Sequence, residues 1–207
     1  MKTINLKGSI LVTFLSLNML FAFSQKSSLK DNFPIFLKNN NLSFNLPDGF
    51  YVPDTINTIL PKTISAPIYQ INSVDKNVTI YFVYLKYSKK DEEFYKKMNP
   101  GKKIDLKSDY LTMIRNIDEK NSLNKSFNEN GIKYFNKEEL DSIGSDIGGQ
   151  YSMTLATPFQ KDFTNLTIRF IGKYYNFWIY NYFFFKESDA KIFEKIAHQT
   201  KYMIKIK

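Results

Sequence analysis

The chain has no cysteine, so it forms neither a disulfide, nor a thiolate nucleophile, nor a sulfur-ligated metal site. Its only histidine is His198. One imidazole excludes the paired-histidine zinc centres of hydrolases, and a histidine-dependent serine triad would have to use this residue. No Gly-x-Ser-x-Gly elbow accompanies it. Arginine is nearly absent: Arg115 and Arg169 stand alone among 29 basic residues. Proteins that read phosphates and bases favour the planar fork of arginine, so nucleic acid is not an expected partner despite the formal charge of +9. Long apolar runs are missing too. A membrane-spanning helix takes roughly 20 apolar residues. Residues 10–23 fall short of that and include Ser16 and Asn18, while residues 174–185 contain Asn176 and Asn181.

What is present begins with a leader. Lys2 and Lys7 supply a short positive start, residues 10–23 an apolar stretch, and Ala22-Phe23-Ser24 small residues where a signal peptidase reads. That order predicts a secretory signal peptide over 1–24 and a secreted or periplasmic location. Cleavage after Ser24 leaves 183 residues with a charge of about +7 and no cysteine to carry a lipid anchor. Residues 25–40 read as an N-terminal leader, polar over 25–30, and 41–207 as one domain large enough to hold its own core. Without disulfides that core rests on packing, for which 19 Phe and 14 Tyr supply the area.

Residues 41–46 alternate, with Leu42, Phe44 and Leu46 facing inward, and Pro47-Asp48-Gly49 turns the chain. Residues 66–72 and 77–87 predict a hairpin, the second strand apolar on both faces and therefore central. Ser88 caps a polar helix over 88–98, and Ser108 an amphipathic helix over 109–119 carrying Leu111, Ile114 and Ile117. Beyond a short strand at 132–135 and a loop at 141–149, strands are expected at 151–157, 166–172 and 174–185, with Gly172-Lys173 as the last turn. Ser188 then caps a helix with Ile196 and Ala197 on its apolar face, and residues 202–207 form a last strand. Strands grouped in hairpins with segregated helices give an α+β domain.

Few motifs carry chemistry. Ser188-Asp189-Ala190-Lys191 has the Ser-x-x-Lys spacing without its partner motifs. Residues 144–149 resemble a phosphate loop but lack its Gly-Lys-Ser/Thr ending. Asp141 and Asp146 lack the dense register of a calcium loop, and Asp91-Glu92-Glu93 are adjacent on a polar helix, not opposed across a cleft. No catalytic residue, metal ligand or cofactor is assigned. The aromatic run is the exception. Alternation sets Tyr174, Asn176, Trp178, Tyr180 and Tyr182 on one face, which either lies beneath a covering helix or leaves amphipathic rings to stack on a sugar, peptide or protein. Tyr175, Phe177, Ile179 and Phe183 fall on the core face.

The segment Leu42-Ser43-Phe44-Asn45-Leu46-Pro47-Asp48-Gly49-Phe50 resembles the opening of PsbP-like (Mog-type) domains, and the aromatic strand followed by a helix and short tail is similar to their end. The resemblance implies a twisted antiparallel sheet with helices packed on both sides and a role in binding partners. No site residue carries over. The expected function is therefore a non-enzymatic binding or accessory protein of the bacterial envelope, with a protein, glycan or other envelope component as partner. Two alternatives stay open: a secreted carboxylate- or lysine-dependent hydrolase of cell-wall glycan or peptide, and an immunity-type or host-facing interaction protein.

Overall fold

The computed structural model describes residues 29–56, 60–61, 64–101, 108–160, 162–186 and 190–207. The leader expected over 1–24 and the cap expected at Ser188 lie outside these residues. Among these residues there are nine strands: β1 Leu42–Phe44, β2 Phe50–Tyr51, β3 Tyr69–Ser73, β4 Val78–Lys86, β5 Lys133–Tyr134, β6 Ile147–Phe159, β7 Phe163–Lys173, β8 Phe177–Phe185 and β9 Ile204–Ile206. Five α-helices accompany them: α1 Leu29–Asn39, α2 Lys89–Met98, α3 Asp109–Asn121, α4 Lys137–Ile143 and α5 Ala190–Gln199. Seven strands form one antiparallel sheet in the order β2-β3-β4-β8-β7-β6-β5, and β1 pairs with β9 in a separate ribbon. This is an α+β fold.

Strand β8 lies mid-sheet between β4 and β7, and all nine of its residues are buried. Its alternation divides the interior in two. Phe177, Ile179, Phe183 and Phe185 join Ile71, Ile80 and Phe82 in a core closed by Phe33 of α1, Ile196 of α5 and the β1–β9 ribbon. Trp178, Tyr180, Tyr182 and Phe184 join Ile168 and Phe170 beneath Tyr110, Ile114 and Ile117 of α3. Helices thus cover both faces.

Helix α1 lies within the stretch read from the sequence as a leader. Pro34 inside it reads as a helix breaker, yet Phe33 is buried and stacks on Tyr69 with ring centroids 3.6 Å apart. In β1, Leu42 is buried and Phe44 half-buried, whereas Leu46 lies past the strand end and is 44% exposed. Ser88 caps α2 as expected: its side chain accepts from the Asp91 N–H while the Asp91 carboxylate accepts from the Ser88 N–H. Ser108 makes no side-chain capping bond at α3. The loop expected at 141–149 is instead the end of α4, a left-handed cap at Gly144 and the start of β6, because Asn136 and Glu139 form a capping box that begins a helix upstream.

The last turn also differs. It falls at 174–176, with Tyr175 at φ 58°, and Gly172 lies inside β7 opposite Trp178. A Cβ on Gly172 would sit 2.3 Å from the indole, so this glycine makes room for a ring and not for a turn.

Arg169 of β7 is buried without a carboxylate partner among the described residues. Its guanidinium donates to the Ala197 carbonyl (2.7 Å) and the Thr200 hydroxyl (3.2 Å) and covers the Phe183 ring. The Ala197 carbonyl lies in the last turn of α5, where the helix dipole is negative, so the helix terminus supplies the countercharge. Desolvation lowers the guanidinium pKa to about 10.

Candidate functional site

The aromatic face expected to bind is not an open platform. Trp178, Tyr180 and Tyr182 are exposed by only 1%, 0% and 0%, and Tyr110 of α3 sits 5.2 Å from the indole centroid. Tyr174 is half-buried in the turn, its N–H donating to Asp146 Oδ2 at 2.9 Å. The alternation places these side chains on one face as read, but α3 packs over that face. Whether a strand face is covered depends on tertiary packing that the strand's own sequence does not encode.

The other candidates have structural partners. Asp91 belongs to the α2 cap, and Glu92 turns inward and pairs with Lys96. Asp146 pairs with Lys173 at 2.8 Å, and Gly148 and Gly149 are β6 residues, not a phosphate loop. His198 is exposed in the last turn of α5. Lys191 is three positions from Ser188 in the sequence, and Ser188 is outside the described residues. Among the described residues no three acidic or histidine side chains gather as cation ligands, and no helix is long and apolar enough to cross a membrane.

Among the described residues a hollow lies at the sheet edge. Strand β5 covers β6 for only two residues, Lys133 opposite Gln150 and Tyr134 opposite Gly149. Further along, the chain after α3 touches the same edge once, where Ser122 pairs with Leu155 and the Leu123 N–H donates to the Thr154 carbonyl at 2.8 Å. Between these contacts the chain bows outward. The cleft encloses about 510 Å³, with Asn124, Ser126 and Asn128 on one wall and Lys133, Gln150 and Ser152 on the other. A second hollow of about 310 Å³ continues past Thr154 and Asn165 to Asp118. The lining is neutral amides and hydroxyls with one lysine, suited to hydrogen bonding and not to stacking.

Asp118 is the buried ionisable group beneath it, 2% exposed. Its Oδ1 accepts from the Tyr151 hydroxyl at 3.2 Å, and Oδ2 makes no hydrogen bond of good geometry. Tyr151 stacks obliquely against Phe127, and the Asn128 N–H bonds its hydroxyl oxygen. Asp118 thereby fixes the ring on which the outer wall leans. Burial raises its carboxyl pKa above the ordinary value of 3.8, with the Tyr151 and Ser122 side chains pulling the other way.

A raised folded-state pKa means that the native protein holds a proton the unfolded chain has released. This contribution is fully present below 3.8 and is lost as pH rises through the folded value. Asp118→Asn keeps an oxygen acceptor for Tyr151 and removes the buried charge. The variant is expected to melt higher than the parent at pH 7, with the difference shrinking toward pH 4. Parallel Tm-versus-pH curves for the two proteins would contradict this assignment.

Sequence reasoning passed over this region. The available signal was the density of Asn and Ser between 121 and 130, where six of ten residues are one or the other. No protein-family model matches the chain, and no curated protein matches it at a significant level.

Proposed function

We propose that the protein is an exported, non-catalytic binding or accessory protein of the bacterial envelope, and that its partner docks in the cleft beside β6. The observation that carries the reading is the interrupted sheet edge walled by neutral hydrogen-bonding side chains. Such a wall recognises a polar ligand without transforming it. The leader over 1–24 supports export. The resemblance to PsbP-like domains, which mostly bind partners, points the same way. The basic, lysine-rich composition fits an acidic surface or chain terminus better than a phosphate reader.

Export is tested on the full chain expressed in a bacterium and fractionated. The expected product is extracytoplasmic protein whose intact mass begins at Gln25. Recovery from the cytosol with residues 1–24 retained would overturn the reading.

A further inference from the structure

Resting on that reading of the cleft, we propose that its ligand is the carboxyl-terminal end of an extended peptide, one residue of which pairs with the main chain of Ser152. The argument starts from the ladder. The Gly148 carbonyl accepts from the Phe135 N–H, and the Thr154 carbonyl from the Leu123 N–H, both away from β7. Peptide groups of a strand alternate sides with a period of two, so those of Gln150 and Ser152 point the same way. Gln150 meets Lys133 of β5. Ser152 meets no backbone group among the described residues, and its N–H and C=O face into the cleft between the two covered stretches. The side-chain hydroxyl of Ser152 is turned to Thr167 at 2.8 Å, which leaves the main chain as the recognition element.

This donor–acceptor pair discriminates between ligand classes. In an extended amino-acid residue the N–H and C=O on either side of one Cα point in the same direction, so a single residue satisfies both groups of Ser152. A secondary amide on a sugar presents its N–H and C=O on opposite sides, so it satisfies one and strands the other. The length is bounded as well. Gln150 and Thr154 are four residues apart, about 13 Å of strand, and both are already covered. The cleft therefore holds about three residues, which a chain end fits better than a continuous segment. Polarity follows from charge. A peptide antiparallel to β6 runs its carboxyl end toward Gln150, and Lys133 lines that end. Lys133 takes part in none of the ion pairs among the described residues. Asn124 and Gln150 also line the cleft, and their amides offer donors and acceptors for the remaining peptide groups.

The test is an amide-resolved NMR titration of the mature protein with N-acetyl-trialanine carrying a free carboxylate, its carboxamide counterpart, and the disaccharide of N-acetylglucosamine. The free acid is expected to shift the Ser152 amide resonance and slow its hydrogen exchange at least tenfold. The carboxamide should bind at least fivefold more weakly, and Lys133→Ala should abolish that difference. Ser152→Ala should bind normally. Ser152→Pro should lose binding while keeping its melting temperature, because an edge residue whose N–H faces outward tolerates proline. If that variant does not fold, Lys133→Ala still decides. A Ser152 amide unmoved by the free acid overturns the proposal. If the disaccharide alone perturbs the cleft, the peptide class is overturned while the cleft remains a binding site. Export stands or falls separately on the mass measurement.

Discussion

Between pH 10 and 12 the protein is expected to unfold in one steep transition. Tyr81, Tyr84 and Tyr87 are buried, and desolvation carries each phenol from 10.0 to about 12. Tyr110, Tyr180 and Tyr182 are pushed further in the same direction for the same reason. In the unfolded chain all six ionise near 10. Their folded-state pKa is raised, so their contribution is complete below 10 and is lost as pH climbs toward the folded values. Each phenol that remains protonated only when folded costs roughly 1.4 kcal/mol for every pH unit above 10. Six together cost roughly 8 kcal/mol per unit, against a whole-domain stability of about 5–15 kcal/mol. Arg169 works the opposite way, since its lowered pKa lets the folded state release a proton first, but it is one site against six. Tyrosinate absorbance and far-ultraviolet dichroism should change together over a narrow pH range. Gradual phenol ionisation with dichroism intact beyond pH 12 would show that these hydroxyls reach solvent.

Gly172→Ala is expected to destabilise the protein strongly. The new methyl would lie 2.3 Å from two indole carbons of Trp178 and 2.9 Å from a third. The ring has no free side to retreat to: it is 1% exposed and bounded by Tyr87, Tyr110 and Phe170 at 6.2, 5.2 and 6.5 Å between centroids. Overpacking of this kind costs about 3 kcal/mol, equivalent to a fall in Tm of roughly 6–12 °C for a domain this size. Trp178 is the only tryptophan, so its emission reports the displacement directly. The cost belongs to the methyl–indole pair if Gly172→Ala becomes nearly neutral in a Trp178→Leu background. An undiminished penalty there would place the strain in the β7 backbone instead.

Features fixed by local chemistry were legible in the sequence, and those fixed by distant packing were not. The two faces of β8 separate as the period of two requires, because a strand buried on both sides still alternates. The Ser88 cap was readable because the cap, the acidic first turn and the helix are contiguous. Helix α1 was hidden by Pro34, and α4 by a capping box that starts outside the stretch taken for a loop. The turn at Tyr175 uses a left-handed conformation that glycine normally marks, and the nearby glycine is spent on Trp178. The cleft exists because the chain leaves the β6 edge after Leu123 and pairs with it again only over the two residues of β5. No motif encodes that gap, which arises where the chain between Leu123 and Lys133 leaves an edge that it touches at both ends.

The ribbon of β1 and β9 constrains the order of events during folding. Ser43 and Lys205 are 162 positions apart yet lie side by side, and the Lys207 N–H closes onto the Asn41 carbonyl at 2.8 Å. A contact of such sequence separation can form only after nearly every intervening residue is available. A growing chain therefore cannot seal the Phe33 side of its interior until β9 has been made and can meet β1.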